Sequence, residues 1–320
     1  MTLPSPARFF PLAHGTYDVA AGLRSLGSDF GNGAADTRVF LFDANYPRYR
    51  EAKLRARAER LETYFPQPVR LDPELRGAAV RFIAETLARE SPEFFALKTD
   101  ASGFELQSTL TQERFEFSVG GELREQETSV SPKYRDGLDA LATVLQEDVA
   151  LWQRAADGSE WLAAVHLCFP NHWAAEDKVG RAFNVVHAPV AGFGRLAKAA
   201  PSLIDGIITK GPFVRFAWGV ATDAELNHHP RAAFQGRQFD PQTPELYLRI
   251  ERQTLRGFPK QNGSIFTIRT YFLNCATELS AIERVALGSA IRSMTPEALL
   301  YKGLAQSRDA VLDWLKSLGG

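Results

Sequence analysis

Residues 245–255 and 264–272, ELYLRIERQTL and SIFTIRTYF, joined by RGFPKQNG, decide the fold. Both runs alternate, which marks strands. Successive strand side chains point to opposite faces. In the first run Leu246, Leu248 and Ile250 therefore share one face, and Tyr247, Arg249, Glu251 and Gln253 the other. In the second, Phe266, Ile268 and Phe272 oppose Thr267, Arg269 and Tyr271. The Gly- and Pro-containing connection suits a hairpin with a long turn. Antiparallel pairing with aligned apolar faces predicts that Arg249, Glu251, Arg269 and Tyr271 converge on one polar face. Such a face is either solvated, with cross-strand charge pairs, or the floor of a site.

Working outward, Val39–Phe42 reads as strand-like and Tyr46–Tyr64 as an exposed helix. A second helix starts with Asp72 as N-cap and Pro73 at its first position, and buries Leu75, Ala79, Phe82, Ile83 and Leu87. Residues 101–118 suggest a hairpin, 136–147 a helix, 145–154 and Glu160–Phe169 strands, Leu196–Ile208 a helix broken or kinked at Pro201, and Pro212–Val220 a strand. A polar loop fills 223–244, and amphipathic helices over Ala281–Met294 and Ala305–Leu318 close the chain. Helices, then short strands interrupted by helices, then helices predict α+β with an antiparallel sheet. The expected organisation is a single domain: a mostly helical part over 1–100, a sheet-containing core over 101–275, and C-terminal helices over 276–320.

Composition narrows the function. The 320 residues are 45% hydrophobic and 23% charged, ordinary for a globular protein. Lys+Arg 37 against Asp+Glu 38 lacks the basic excess of a general nucleic-acid binder. Cys168 and Cys275 are the only cysteines, too few for a disulfide framework, a zinc knuckle or a cluster held by this chain. No apolar run approaches the ~20 residues of a membrane helix, and the N-terminus has no signal pattern, so the expected location is cytoplasmic. GxGxxG and GxxxxGK[ST] are absent, so nothing marks a nucleotide fold.

Pro170–Pro189, PNHWAAEDKVGRAFNVVHAP, is the second informative stretch. Val179, Ala182, Phe183 and Val186 recur at helical spacing, predicting a helix over 171–187 that Pro189 stops at about His187. His187 in that last turn either holds a metal centre from one face or is a core histidine bonded to backbone. Glu147 and Asp148 are adjacent in a strand and point apart, so a structural role is expected for them. The His228-His229 pair has no acidic or cysteine partner nearby in sequence, which weakens a metal reading.

Four segments, LQEDVALW (145–152), PNHWAAEDKVGRAFNVVHAPV (170–190), LRIERQTLRGFPKQNGSIFTIRTY (248–271) and YKG (301–303), resemble the haem-dependent oxidative N-demethylase α-subunit family, in order and spacing, from about Phe9 to Gly303. The resemblance implies a PAS-like antiparallel sheet holding haem b inside added helices. It implies oxygen-dependent removal of a methyl group from a small secondary amine, giving a primary amine and formaldehyde. NADPH electrons would arrive through reductase subunits carrying flavin and an iron–sulfur cluster, with tetrahydrofolate as a one-carbon acceptor. His187 matches the axial-ligand position. Arg249, Arg269, Trp173 and Lys178 are then expected at the cofactor, and Glu251 and Tyr271 at the substrate. The alternative is a haem-binding PAS-like sensor or carrier without turnover. Gly257-Phe258-Pro259 and the turn Lys260-Gln261-Asn262 depart from the family pattern, which would bear on the substrate if that turn lines the pocket mouth.

Overall fold

The computed structural model describes residues 2–232 and 235–319. The chain begins with β1 (Arg24–Ser25), α1 (Tyr46–Tyr64) and α2 (Pro73–Glu90). Four strands follow, β2 (Phe95–Thr99), β3 (Gly103–Ser108), β4 (Glu113–Ser118) and β5 (Leu123–Glu127), and then α3 (Gly137–Val144). The centre holds β6 (Asp148–Arg154), β7 (Glu160–His166), α4 (Phe183–His187), α5 (Gly194–Lys210) and β8 (Phe213–Ala221). Last come β9 (Tyr247–Phe258), β10 (Gly263–Asn274), α6 (Ala281–Arg292), α7 (Pro296–Tyr301) and α8 (Arg308–Ser317). Strands β2-β3-β4-β5 form a meander, and β1-β8-β9-β10-β6-β7 form a six-stranded sheet whose pairings are all antiparallel. The fold is α+β, as the pattern predicts.

The register of the long hairpin corrects one expectation. Glu251 lies opposite Thr270, Arg252 opposite Arg269, and Ile250 opposite Tyr271. Directly opposed residues share a face, so Arg249 and Glu251 stand on one side while Arg269 and Tyr271 stand on the other. The expectation of one polar and one apolar face fails because both faces of this sheet are covered. On the Tyr271 side, Val149, Leu151, Ala164 and Ile265 pack with α2, α3 and the meander. Leu248, Ile250, Tyr271 and Leu273 continue that side against α6 and α8.

Between those two apolar regions the covered face is ionic. Arg269 donates to Asp43 at 2.7 Å and lies 3.9 Å from the Tyr49 ring centroid. Arg252 donates to the carbonyls of Arg38 at 2.6 Å and Val39 at 3.3 Å. This explains why Val39–Phe42 is not a strand. Its backbone donors are taken by side chains: Val39 and Phe40 donate to Glu90 at 2.9 and 3.2 Å, and Leu41 to Glu147 at 3.0 Å. Helix α1 has the expected bounds but is not simply exposed, and its backbone leaves helical angles at Arg60. Lys53 is buried and donates to the Ala142 carbonyl at 2.7 Å, and buried Arg57 pairs with Asp139. A charged residue reads as solvent-facing until the fold supplies its partner.

Helix α2 follows its start signals, with Asp72 accepting from the Glu74 N–H at 2.8 Å. Gly257 has a packing reason. A Cβ there would come within 1.9 Å of the Ile208 carbonyl oxygen, so α5 rests directly on β9. The turn after it, Pro259–Gln261 with Asn262, lies outside the cavity wall described below and does not form the pocket mouth.

Arg269→Met should leave the Asp43 carboxylate buried without its partner and destabilise the chain by about 3–5 kcal/mol. Urea unfolding measures this, and an unchanged midpoint would show that the pair does not hold Asp43.

Candidate active site

The face of the sheet turned away from α2 and α3 forms the floor of a cavity of about 910 Å³, near the top of the 300–1,000 Å³ typical of small-molecule sites. Ala150, Glu251, Gln253, Leu255, Phe266 and Ile268 project from the floor. Phe183, Val186 and His187 of α4 and Leu196, Ile204 and Ile207 of α5 make one wall. The irregular N-terminal stretch around Thr16–Leu23 and the end of α7 with Lys302 make others.

His187 is the most informative residue of that wall. The expected 171–187 helix is shorter: residues 175–180 run as a bend and turns, and only Phe183–His187 is helical. His172 at φ 63° and Gly180 at φ 81° both depart from helical angles. The Glu160 carboxylate accepts the Phe183 N–H at 2.8 and 3.0 Å and so starts the helix there. His187 ends it, as expected. Its Nδ1–H donates to the Phe183 carbonyl one turn back, at 2.8 Å. Nε2 has no hydrogen-bond partner among the described residues. The rings of Trp152 and Phe193 stack beside it at 6.3 and 5.7 Å. Burial pushes its pKa down to about 4, so the ring is neutral at physiological pH. A neutral imidazole whose Nδ1–H is held by a carbonyl offers Nε2 to a metal in a fixed orientation.

The other histidines differ. His172 also lines the cavity, with its Nδ1 3.2 Å from the Gln235 side-chain oxygen and its ring stacked on His228 at 5.4 Å. His228 meets Asp223 at 2.9 Å and His229 meets Glu176 at 3.2 Å. The expectation of no acidic partner is corrected for both: Asp223 lies five residues before His228 in the same loop, and the 170–190 segment brings Glu176 to His229. Asp148, His166 and Cys168 offer atoms within 4.8 Å of one another. Their cation is already present: Lys53 lies 3.9 Å from Asp148. Asp148 also accepts the Cys168 and Phe169 N–H groups at 2.8 and 2.9 Å. Glu147 accepts the Leu41 N–H at 3.0 Å, so both carboxylates hold backbone, the kind of contact expected for them, and Asp148 also lines the cavity.

Of the residues expected at the site, His187, Trp173, Lys178 and Glu251 line the cavity. Arg249, Arg269 and Tyr271 do not. Arg249 donates to the Phe169 carbonyl at 2.8 Å and to those of Glu225 and Leu226 at 3.4 Å, fastening the 223–244 loop to the end of β7. Tyr271 is buried on the opposite face, 5.3 Å from Phe9. Besides Lys178, the cavity is lined by the partly buried cations Arg215, Arg237 and Lys302, and by Arg154, which pairs with Asp205. Arg215 stands opposite Gln253 on the neighbouring strand, a register that the alternation of β8 alone does not give. Burial lowers the Arg215 pKa and brings Lys302 down to about 8, while the Glu251 charge opposes both shifts.

A sequence model of the family described as haem-dependent oxidative N-demethylase, alpha subunit-like, matches residues 33–312. The chain belongs to this family. An α subunit implies a multi-subunit system, and haem dependence follows from the description. The residues fit haem: a cavity of sufficient size, walls rich in aromatic and aliphatic side chains, neutral histidines His187 and His172 on the lining, of which His187 has its Nδ1–H fixed by a backbone carbonyl, and cations for the propionates. Among the described residues no helix is long and apolar enough to cross a membrane.

Burial lowers His166 to about 4 and His172 to about 3. Above the ordinary 6.5 neither the folded nor the unfolded chain binds these protons. As pH falls below 6.5 the unfolded chain takes them up and the folded chain does not. Stability should therefore decline from pH 6.5 towards pH 4, on the order of 3 kcal/mol for His166. Denaturation midpoints across that range check this; a flat profile would contradict it.

Proposed function

We propose that this chain is the haem-bearing catalytic subunit of an oxidative N-demethylase acting on a small N-methyl amine. The observation that carries the reading is the His187 Nδ1–H bond to the Phe183 carbonyl, which leaves Nε2 free on the wall of the large cavity. In this reading the sheet is PAS-like, its cavity face holds haem b, and residues 1–320 act as one haem-binding domain. When bound, haem would supply oxygen activation with two external electrons. The overall conversion is balanced: N-methyl amine, O2, two electrons and two protons give primary amine, formaldehyde and water.

The chain's residues divide the remaining work. His187 would hold the iron through Nε2. Arg215 and Lys178, whose charges both reach His187, would pair with the propionates, for which a planar guanidinium is well suited. Trp173 and Phe266 would exclude water. Glu251 accepts from Gln253 at 2.9 Å, which orients its carboxylate to receive a substrate ammonium. Tyr271, on the far face, would act at most by supporting the floor. Electrons would come from NADPH through partner subunits carrying flavin and an iron–sulfur cluster, and tetrahydrofolate would take up the one-carbon unit. Both cysteines are free and buried, which suits a reducing cytoplasmic compartment.

The test is turnover. The haem-loaded chain with a supplied reductase and NADPH should release formaldehyde from an N-methyl amine, whereas the reductase-free chain should not. Glu251→Gln should retain haem and lower turnover tenfold or more, about 1.4 kcal/mol. A haem-loaded, reduced protein that releases no formaldehyde from any N-methyl amine would overturn the reading.

A further inference from the structure

Apart from Arg154, which pairs with Asp205 at 3.1 Å, the Lys and Arg residues lining the cavity fall in two groups. Lys178 and Arg215 lie towards His187, on which both charges act. Arg237 and Lys302 lie together at the end of α7. The Arg237 guanidinium donates to the Tyr301 carbonyl at 3.1 Å, and its stem passes over Gly303, where a Cβ would meet Arg237 Cδ at 2.7 Å. Lys302 Nζ donates to the Trp218 carbonyl and lies 5.7 Å from the Trp218 ring centroid. Neither Arg237 nor Lys302 forms a salt bridge with a carboxylate among the described residues, and Arg237 Nε is buried without a partner.

Glu251 is the nearby anion. It lies opposite Ala217 on β8, one residue from the Trp218 carbonyl that takes Lys302. It is also the charge that supports both Lys302 and Arg215 against burial. A substrate bringing only an ammonium to Glu251 would add a positive charge beside Lys302 and give Arg237 nothing. Enclosed cations without anions are costly.

We propose that the substrate is an N-methyl amino acid, held at both charges: its ammonium at Glu251 and its carboxylate at Arg237 and Lys302. This rests on the N-demethylase reading above and deepens it. One carboxylate supplies the direct ion pair that neither Arg237 nor Lys302 makes among the described residues, and Arg215 and Lys178 remain for the propionates. Demethylation would then yield an amino acid and formaldehyde, with O2 and the reductase electrons as before.

The test compares N-methylglycine with dimethylamine on the haem-loaded chain. Dissociation constants come from equilibrium dialysis, and haem per chain is measured separately. N-methylglycine should bind at least tenfold more tightly than dimethylamine. Arg237→Gln should keep its haem and reduce that preference tenfold or more, and Lys302→Gln should act in the same direction if Arg237→Gln does not fold. Equal binding of the two amines, or an undiminished preference in both variants, overturns the proposal. Loss of haem in Arg237→Gln also overturns it, because it assigns that cation to a propionate. Formaldehyde release is scored independently. Its absence while the Arg237-dependent preference persists contradicts the demethylation reading and leaves the binding site standing.

Discussion

Arg252 and Arg269 sit opposite each other on the central hairpin, on the side packed against the N-terminal half of the chain. Two like charges in that position would repel, and the fold answers with Asp43, the carbonyls of Arg38 and Val39, and the buried Glu147. That arrangement ties the hairpin to one register. A slip by one residue would turn every side chain to the opposite face. It would bring Arg252 and Arg269 into the cavity and carry Glu251 and Gln253 into the ionic layer. The site therefore depends on charges that never face it.

The same constraint accounts for the long loop. Arg249, on the cavity-side face but outside the cavity, reaches the carbonyls of Phe169, Glu225 and Leu226. It holds the segment bearing His228 and His229 against the segment bearing His172. The parallel bridge between Asn171 and His228 and the stacked His172 and His228 rings lie in that seam. From there the chain turns through Gly180 and enters α4, where Glu160 of β7 caps the helix that presents His187. The sheet is thus tied to His187 at both ends of this path by strand side chains, Arg249 and Glu160, that hold loop backbone.

Much of this was legible in the sequence. The alternation in β9 and β10, the Asp72-Pro73 helix start and the end of α4 at His187 all follow from local pattern, because local backbone preferences set them. The division of Arg249 and Glu251 from Arg269 and Tyr271 was not legible, because it depends on cross-strand register, and the two-sided cover of the sheet removes the hydrophobic asymmetry that would have revealed it. Lys53 and Arg57 read as surface residues for a related reason: their partners, Asp148 and Asp139, lie 95 and 82 residues away. Glu251 and His187, both expected at the site, do line the cavity. Arg215, Arg237 and Lys302 were missed because each joins the cavity from a different part of the chain.

The measurement that bears most directly on the account is an optical titration of the purified chain with haemin, run in parallel on His187→Ala and His172→Ala. The account predicts a Soret band saturating at one haem per chain, lost or markedly shifted in His187→Ala, restored by free imidazole, and retained in His172→Ala. An unchanged spectrum and stoichiometry in His187→Ala, or a loss confined to His172→Ala, would contradict it.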